Sequence, residues 1–133
     1  MRTREQLEQR LTRYLGPETY YHPEIGLIVW QLGTGENLEI LFIEVAEYGK
    51  GLGIRLIRKM VERLKVSPYH SVFVYRLESN LPAGRFYRSL GFREHHLGHS
   101  IYRDDQTVIA WIPWEDLLQN LALLETEGET ESD

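Results

Sequence analysis

The chain has 133 residues, 42% of them apolar, no cysteine, and a formal net charge of −5. That length carries one packed domain without cross-links, and the missing cysteines exclude a disulfide framework, a thiolate metal site and a cysteine nucleophile. Five of the 20 acids lie in the last nine residues, "ETEGETESD", so the rest holds 15 acids against 15 bases and lacks the basic excess of a nucleic-acid binder.

No apolar run approaches the ~20 residues of a membrane span, and the start "MRTREQLEQR" has no apolar signal stretch, so a cytoplasmic protein without membrane contact is expected. Residues 3–15 read as a helix, with Thr3 and Gln6 as a capping box and Leu7, Leu11 and Leu15 on one face. "GPETYYHPEIG" breaks it with two prolines and two glycines. Residues 25–32 and 38–45 are apolar and β-branched, and "GTGEN" between them predicts a hairpin. A second helix follows "GKG", its stripe formed by Leu52, Ile54, Leu56, Ile57, Met60, Val61 and Leu64; it ends before Ser67–Pro68. Residues 71–77 read as a strand. "PAGRFYRSLG" then reads as a helix with Pro82 in its first turn, Ala83, Phe86, Tyr87 and Leu90 on one face, and Gly91 as its stop. "FREHHLGHSIY" and "TVIAWI" supply one or two more strands, and a short helix spans residues 115–124. The expected class is α/β of the mixed α+β kind, a sheet with helices on both faces, in one domain over residues 1–124. The acidic tail, 125–133, reads as disordered.

The glycines before the second helix invite a nucleotide motif, but the familiar ones fail. A Walker A loop needs G-K-[ST], and Lys50 is followed by Gly51; a dinucleotide fingerprint needs an acid after the next strand, which here ends "VYRL". A helix N-terminus behind a glycine loop still suits a phosphate, because its first N–H groups point at a common anion.

The second half contains "SNLPAGRFYRSLGF", residues 79–92, which reads N-x-x-A-x-x-F-Y-x-x-x-G-F. With G-x-G opening the preceding helix and a strand on each side, residues 36–97 resemble the GNAT acyltransferase superfamily, which moves an acyl group from acyl-CoA to an amine. The segment before residue 25 is shorter than usual for that family. The resemblance implies a mixed, mostly antiparallel sheet splayed between its two central parallel strands, with pantetheine lying in the gap between residues 43–46 and 74–76. It further implies acetyl-CoA as donor, an amine-bearing acceptor on a small molecule or peptide, and no metal. Cofactor contacts would come from Ile43, Val45, Tyr48, Gly49, Lys50, Gly51, Leu52, Gly53, Ile54, Asn80, Phe86 and Tyr87, with the backbone N–H near Val45 facing the thioester carbonyl. Tyr48 stands where the family usually carries Arg or Gln, and the connection after Val45 is contracted. Either the amides still converge on the pyrophosphate or cofactor affinity is weak.

Transfer asks for a neutral amine, a stabilised oxyanion and a proton for the departing thiolate. By resemblance Tyr87 is the general acid; by its spacing alone it is a core aromatic. Asn80 reads as a helix cap and a cofactor-side contact. Glu39 and Glu44 lie in the apolar strand "LEILFIEV", on opposite faces by the period of two, and burial would raise either toward the range of a base. Glu39 occupies the place of the family's strand glutamate and leads; Glu44 follows. Both also suit an exposed strand end. Arg55, Arg58, Arg85 and Arg88 offer charge for phosphates or simply a solvated helix surface. The histidines of "REHHLGH" alternate in direction and make a poor metal site. "YYHPE", residues 20–24, reads as a loop that lines the acceptor or packs on the sheet, and "WIPWEDLL" either closes the core or serves a homodimer. Two rival readings remain: a degenerate domain of this fold that binds acyl-CoA or a protein without turnover, and another nucleotide fold that prefers ATP or NAD.

Overall fold

The computed structural model describes residues 18–64, 69–99 and 106–126. The helix read over residues 3–15, the Ser67–Pro68 stop and the tail beyond residue 126 lie outside them. The described chain forms two compact units, residues 18–34 with 38–64, and residues 35–37 with 69–99 and 106–126. Together they contain six strands and three helices, the mixed α/β class read from the sequence.

In the first unit β1 (Thr19–His22), β2 (Gly26–Leu32) and β3 (Asn37–Val45) follow one another in antiparallel order. β1 corrects the reading of residues 20–24 as a loop: Tyr20 pairs with Ile28 and Tyr21 with Leu27. The aromatic and β-branched run favours a strand, and Pro23 falls in the turn, where its missing N–H costs no ladder bond. That turn closes through Ile25 N–H to His22 O at 3.0 Å and Glu24 N–H to His22 Nδ1 at 3.0 Å. The β2–β3 connection is a 3-10 turn, Thr34–Glu36, with Gly35 at φ 62° and Glu36 at φ 61°.

β2 and β3 slip by one residue between Val29 and Trp30: Val29 opposes Phe42, Trp30 opposes Ile40, and Leu41 is the extra residue of a β-bulge. The bulge reverses the alternation of everything after it. Tyr21, Leu27, Val29 and Phe42 therefore gather on one face, with Ala46. Tyr20, Ile28, Trp30 and Ile40 share the other. Helix α1 (Leu52–Leu64) covers that second face, burying Leu56, Ile57 and Met60 completely, each contributing about 2 kcal/mol. Near its end Arg63 lies 5.2 Å from the Tyr20 ring centroid and donates to Thr19 O at 2.8 Å.

In the second unit β6 (Gln106–Pro113) lies between β4 (Ser71–Leu77) and β5 (Arg93–His99), antiparallel to both, so β4 and β5 run parallel. Val72, Val74, Val108, Ala110 and Ile112 are buried on one face of these strands. Helices α2 (Leu81–Ser89) and α3 (Trp114–Thr126) belong to that face: Gly84 of α2 meets Arg76, and Ile112 lies beside the Gly91 turn that Asn120 of α3 also closes. Asn80 caps α2, its Oδ1 accepting from Ala83 N–H at 3.3 Å, and Gly91 ends the turn at φ 95°. Asn120 Nδ2 donates to Leu90 O at 2.8 Å, tying the end of α2 to α3. Helix α3 runs from Trp114, tilted on Tyr69 with centroids 5.2 Å apart, through Thr126, so it takes in two residues read as tail.

Candidate functional site

Gly49 and Gly51 adopt φ 79° and 70°, and a Cβ built on either meets no atom within 4 Å. These glycines are required by backbone conformation, not by crowding. Left-handed glycines on either side of Lys50 suit a nest, in which successive amides turn toward one side, and α1 begins at Leu52 immediately behind them. Arg55 N–H reaches back to Gly51 O at 3.3 Å, so the amides of Leu52, Gly53 and Ile54 come before the first bond of the helix ladder. Gly53 is an ordinary helical residue. Tyr48 is 63% exposed beside the nest, and Lys50 meets Glu47 only at 4.0 Å between two exposed side chains.

The strand leading into this loop is set by a residue that sequence reading left unremarked. Gly26 opposes Val45 at φ 140°, and a Cβ there would overlap the Glu44 carbonyl oxygen and stand 2.9 Å from Val45 Cα. The adjoining bond, Ala46 N–H to Ile25 O at 2.9 Å, makes Gly26–Val45 a non-hydrogen-bonded pair. Val45 N–H consequently points away from β2.

Glu39 and Glu44 stand on the same face of β3, correcting the opposite faces read from simple alternation; the bulge at Leu41 is the cause. Their partners, Gln31 and Leu27, are four residues apart on β2, so the backbones of the two glutamates are separated by about 13 Å. Glu39 accepts from Gln31 Nε2 at 3.1 Å near the exposed end of the hairpin. Glu44 is half-buried opposite Leu27, in the row that carries Tyr21, Phe42 and Ala46.

In the second unit Tyr87 is 2% exposed, its ring 5.1 Å from both Phe86 and Phe92. Burial pushes its phenol well above the ordinary range, so the proton stays in place at neutral pH. Arg88 donates to Glu94 Oε1 at 2.8 Å and is therefore already engaged, while Arg85 is exposed. Tyr75 is exposed and packs edge-on against Phe73. His95 and His96 are exposed, His96 Nδ1 lying 3.1 Å from Glu78 Oε2; among the described residues no three metal-ligating side chains converge.

A helix start behind left-handed glycines, followed by a strand, a capped helix and a G-F turn, is the arrangement on which the resemblance to the GNAT superfamily rests. The chain belongs to the FR47-like protein family, which matches residues 29–103, more than half its length. Solved structures repeat the fold. Ard1 from Thermoplasma volcanium is similar at 22% identity and TM-score 0.64, over 82% of this chain and 78% of that one. A proposed streptothricin acetyltransferase from Bacillus anthracis, solved with acetyl coenzyme A, is similar at 20% identity and TM-score 0.61, over 77% and 68%. The ribosomal-protein-S18-alanine N-acetyltransferase of Escherichia coli gives 18% and 0.58, over 80% and 76%. Such identities establish the fold alone. The chain spans 60% of a proposed GNAT acetyltransferase from Desulfovibrio desulfuricans and 57% of nourseothricin acetyltransferase. No curated protein sequence matches significantly. Among the described residues no helix is long and apolar enough to cross a membrane.

Proposed function

We propose that the protein transfers an acyl group, acetyl above all, from acyl-CoA to a primary amine. The observation that carries this is the Gly49–Gly51 nest at the start of α1, whose open left-handed glycines suit the close approach of a pyrophosphate. Backbone amides from Gly49 to Ile54 would hold that group, with Tyr48 beside them. Val45 N–H, turned away from β2, suits the oxyanion. The amine nitrogen attacks the thioester carbon, the C–S bond breaks, and the sulfur takes a proton, which the resemblance assigns to Tyr87. The proton lost by the amine passes through water to a carboxylate.

Glu44 is the better base. It adjoins Val45 in the chain and stands among apolar neighbours, whereas Glu39 lies toward the hairpin end. By the resemblance alone, Asn80 and Phe86 are also donor-side residues. The E. coli protein acts by its name on a protein's alanine, so peptide amines are tested as acceptors beside lysines and small-molecule amines. The test is release of free CoA thiol from acetyl-CoA in the presence of each amine class. Amine-dependent release supports transfer; release with none of them defeats it in favour of binding without turnover.

A further inference from the structure

Along the face of β4 that carries α2 and α3, Val72 and Val74 are followed by Arg76, only 9% exposed. Its Nε and Nη2 meet Glu94 Oε2 at 2.9 and 2.7 Å. Its Nη1 lies 3.0, 3.2 and 3.4 Å from the carbonyl oxygens of Leu77, Glu78 and Asn80. The second oxygen of Glu94 accepts from Arg88 Nη1 at 2.8 Å. Glycine at position 84 leaves the room: a Cβ there would stand 2.8 Å from Arg76 Nη2 and 3.1 Å from Arg88 Nη1.

A buried ion pair of this kind is weak stabilisation, since desolvating two charges costs several kcal/mol and aliphatic packing serves as well. Its geometry supplies another use. The network is bonded to α2 at two points, Asn80 at the N-cap and Arg88 in the last turn, and the Arg76 guanidinium packs against Gly84 between them. Tyr87, the buried aromatic of that helix, is next to Arg88. We infer that Arg76 and Glu94 are positioning residues that hold α2, and with it Tyr87, in one register. The inference rests on the role given to Tyr87 in the reading above.

The variants Arg76→Lys and Glu94→Gln test it, each alone and combined with Tyr87→Phe. Each single change is expected to lower kcat about tenfold or more while the acetyl-CoA Kd stays within about threefold, because misplacing a reacting group costs rate before binding. In the Tyr87→Phe background neither should lower kcat further. Unchanged kcat in the single variants, or a full additional loss without Tyr87, overturns the inference. Hydrogen exchange provides a readout independent of turnover: α2 amides should exchange about tenfold faster in Glu94→Gln while those of β6 do not change. Unaltered α2 exchange overturns the anchor even if the wild-type protein transfers nothing, an outcome that would defeat only the acyl-transfer reading. Should Glu94→Gln fail to fold, Arg88→Ala removes the exposed arm of the same network and is judged by the same measurements.

Discussion

Glu39 and Glu44 project from one face of β3 because Leu41 is an unmatched residue in the β2–β3 ladder. The five-residue spacing would otherwise send them to opposite faces. Sharing a face but lying about 13 Å apart, they divide into a rim residue bonded to Gln31 and a strand-end residue opposite Leu27. Glu44→Gln is expected to lower kcat by about 10²- to 10⁴-fold, the scale of a lost general base, and Glu39→Gln to leave it within about twofold. Steady-state rates at saturating acetyl-CoA check this, and the reverse order would make Glu39 the base.

Removing the phenol oxygen of Tyr87 leaves a ring that still packs between Phe86 and Phe92. Tyr87→Phe should therefore keep acetyl-CoA affinity while kcat falls by about 10- to 10⁴-fold. Because burial raises the phenol, Tyr87 contributes no alkaline limb to the kcat profile below about pH 10. The raised folded value also means that stability falls once the unfolded phenol ionises above about pH 10, and Tyr87→Phe should abolish that loss. Chemical denaturation across pH 8 to 11 measures it.

The nest glycines make a prediction about conformation alone. Gly51→Ala forces a side chain into the left-handed region at a cost of about 1–2 kcal/mol, though the Cβ meets nothing. Acetyl-CoA affinity should fall by about tenfold or more as the amides turn away. A titration showing unchanged affinity in a folded variant would remove the nest from the donor site.

Gly26 is constrained by both conformation and space, because its missing Cβ faces the Glu44 carbonyl. Gly26→Ala should destabilise the protein by about 2–4 kcal/mol, visible as a lowered Tm, and reduce transfer by displacing Val45.

Glu94 gives the acid side of the stability profile. Desolvation raises its pKa, but hydrogen bonds and charge from Arg76, then Arg88, outweigh it and hold the carboxyl below the ordinary range. Its contribution is complete above the unfolded value of about 4.3 and is lost as pH falls through the lower folded value. Glu94→Gln should be less stable near neutrality and show a flatter decline below about pH 4.5, as measured by urea unfolding at each pH.

Periodicity made α1, α2, β4 and the β2–β3 hairpin legible, because their signals are local: an apolar stripe, a cap at Asn80, turn residues at Gly35. β1 was hidden by Pro23, which marks a turn and obscures the short strand before it. The bulge at Leu41 has no local signal, since it arises from pairing with β2, and the faces of Glu39 and Glu44 depended on it. Arg76 and Glu94 are 18 residues apart and meet only because β6 comes to lie between β4 and β5. From the sequence Gly26 is one glycine of a helix-breaking stretch; its importance lies in the backbone across from it.

The most direct measurement is a calorimetric titration of the protein with acetyl-CoA, run beside free pantetheine and ATP and repeated on Gly51→Ala. Saturable binding of acetyl-CoA, with pantetheine and ATP each weaker by about tenfold or more and the variant weakened, is the predicted result. No saturable binding of acetyl-CoA, or equal binding of ATP, would contradict an acyl-CoA site at this loop.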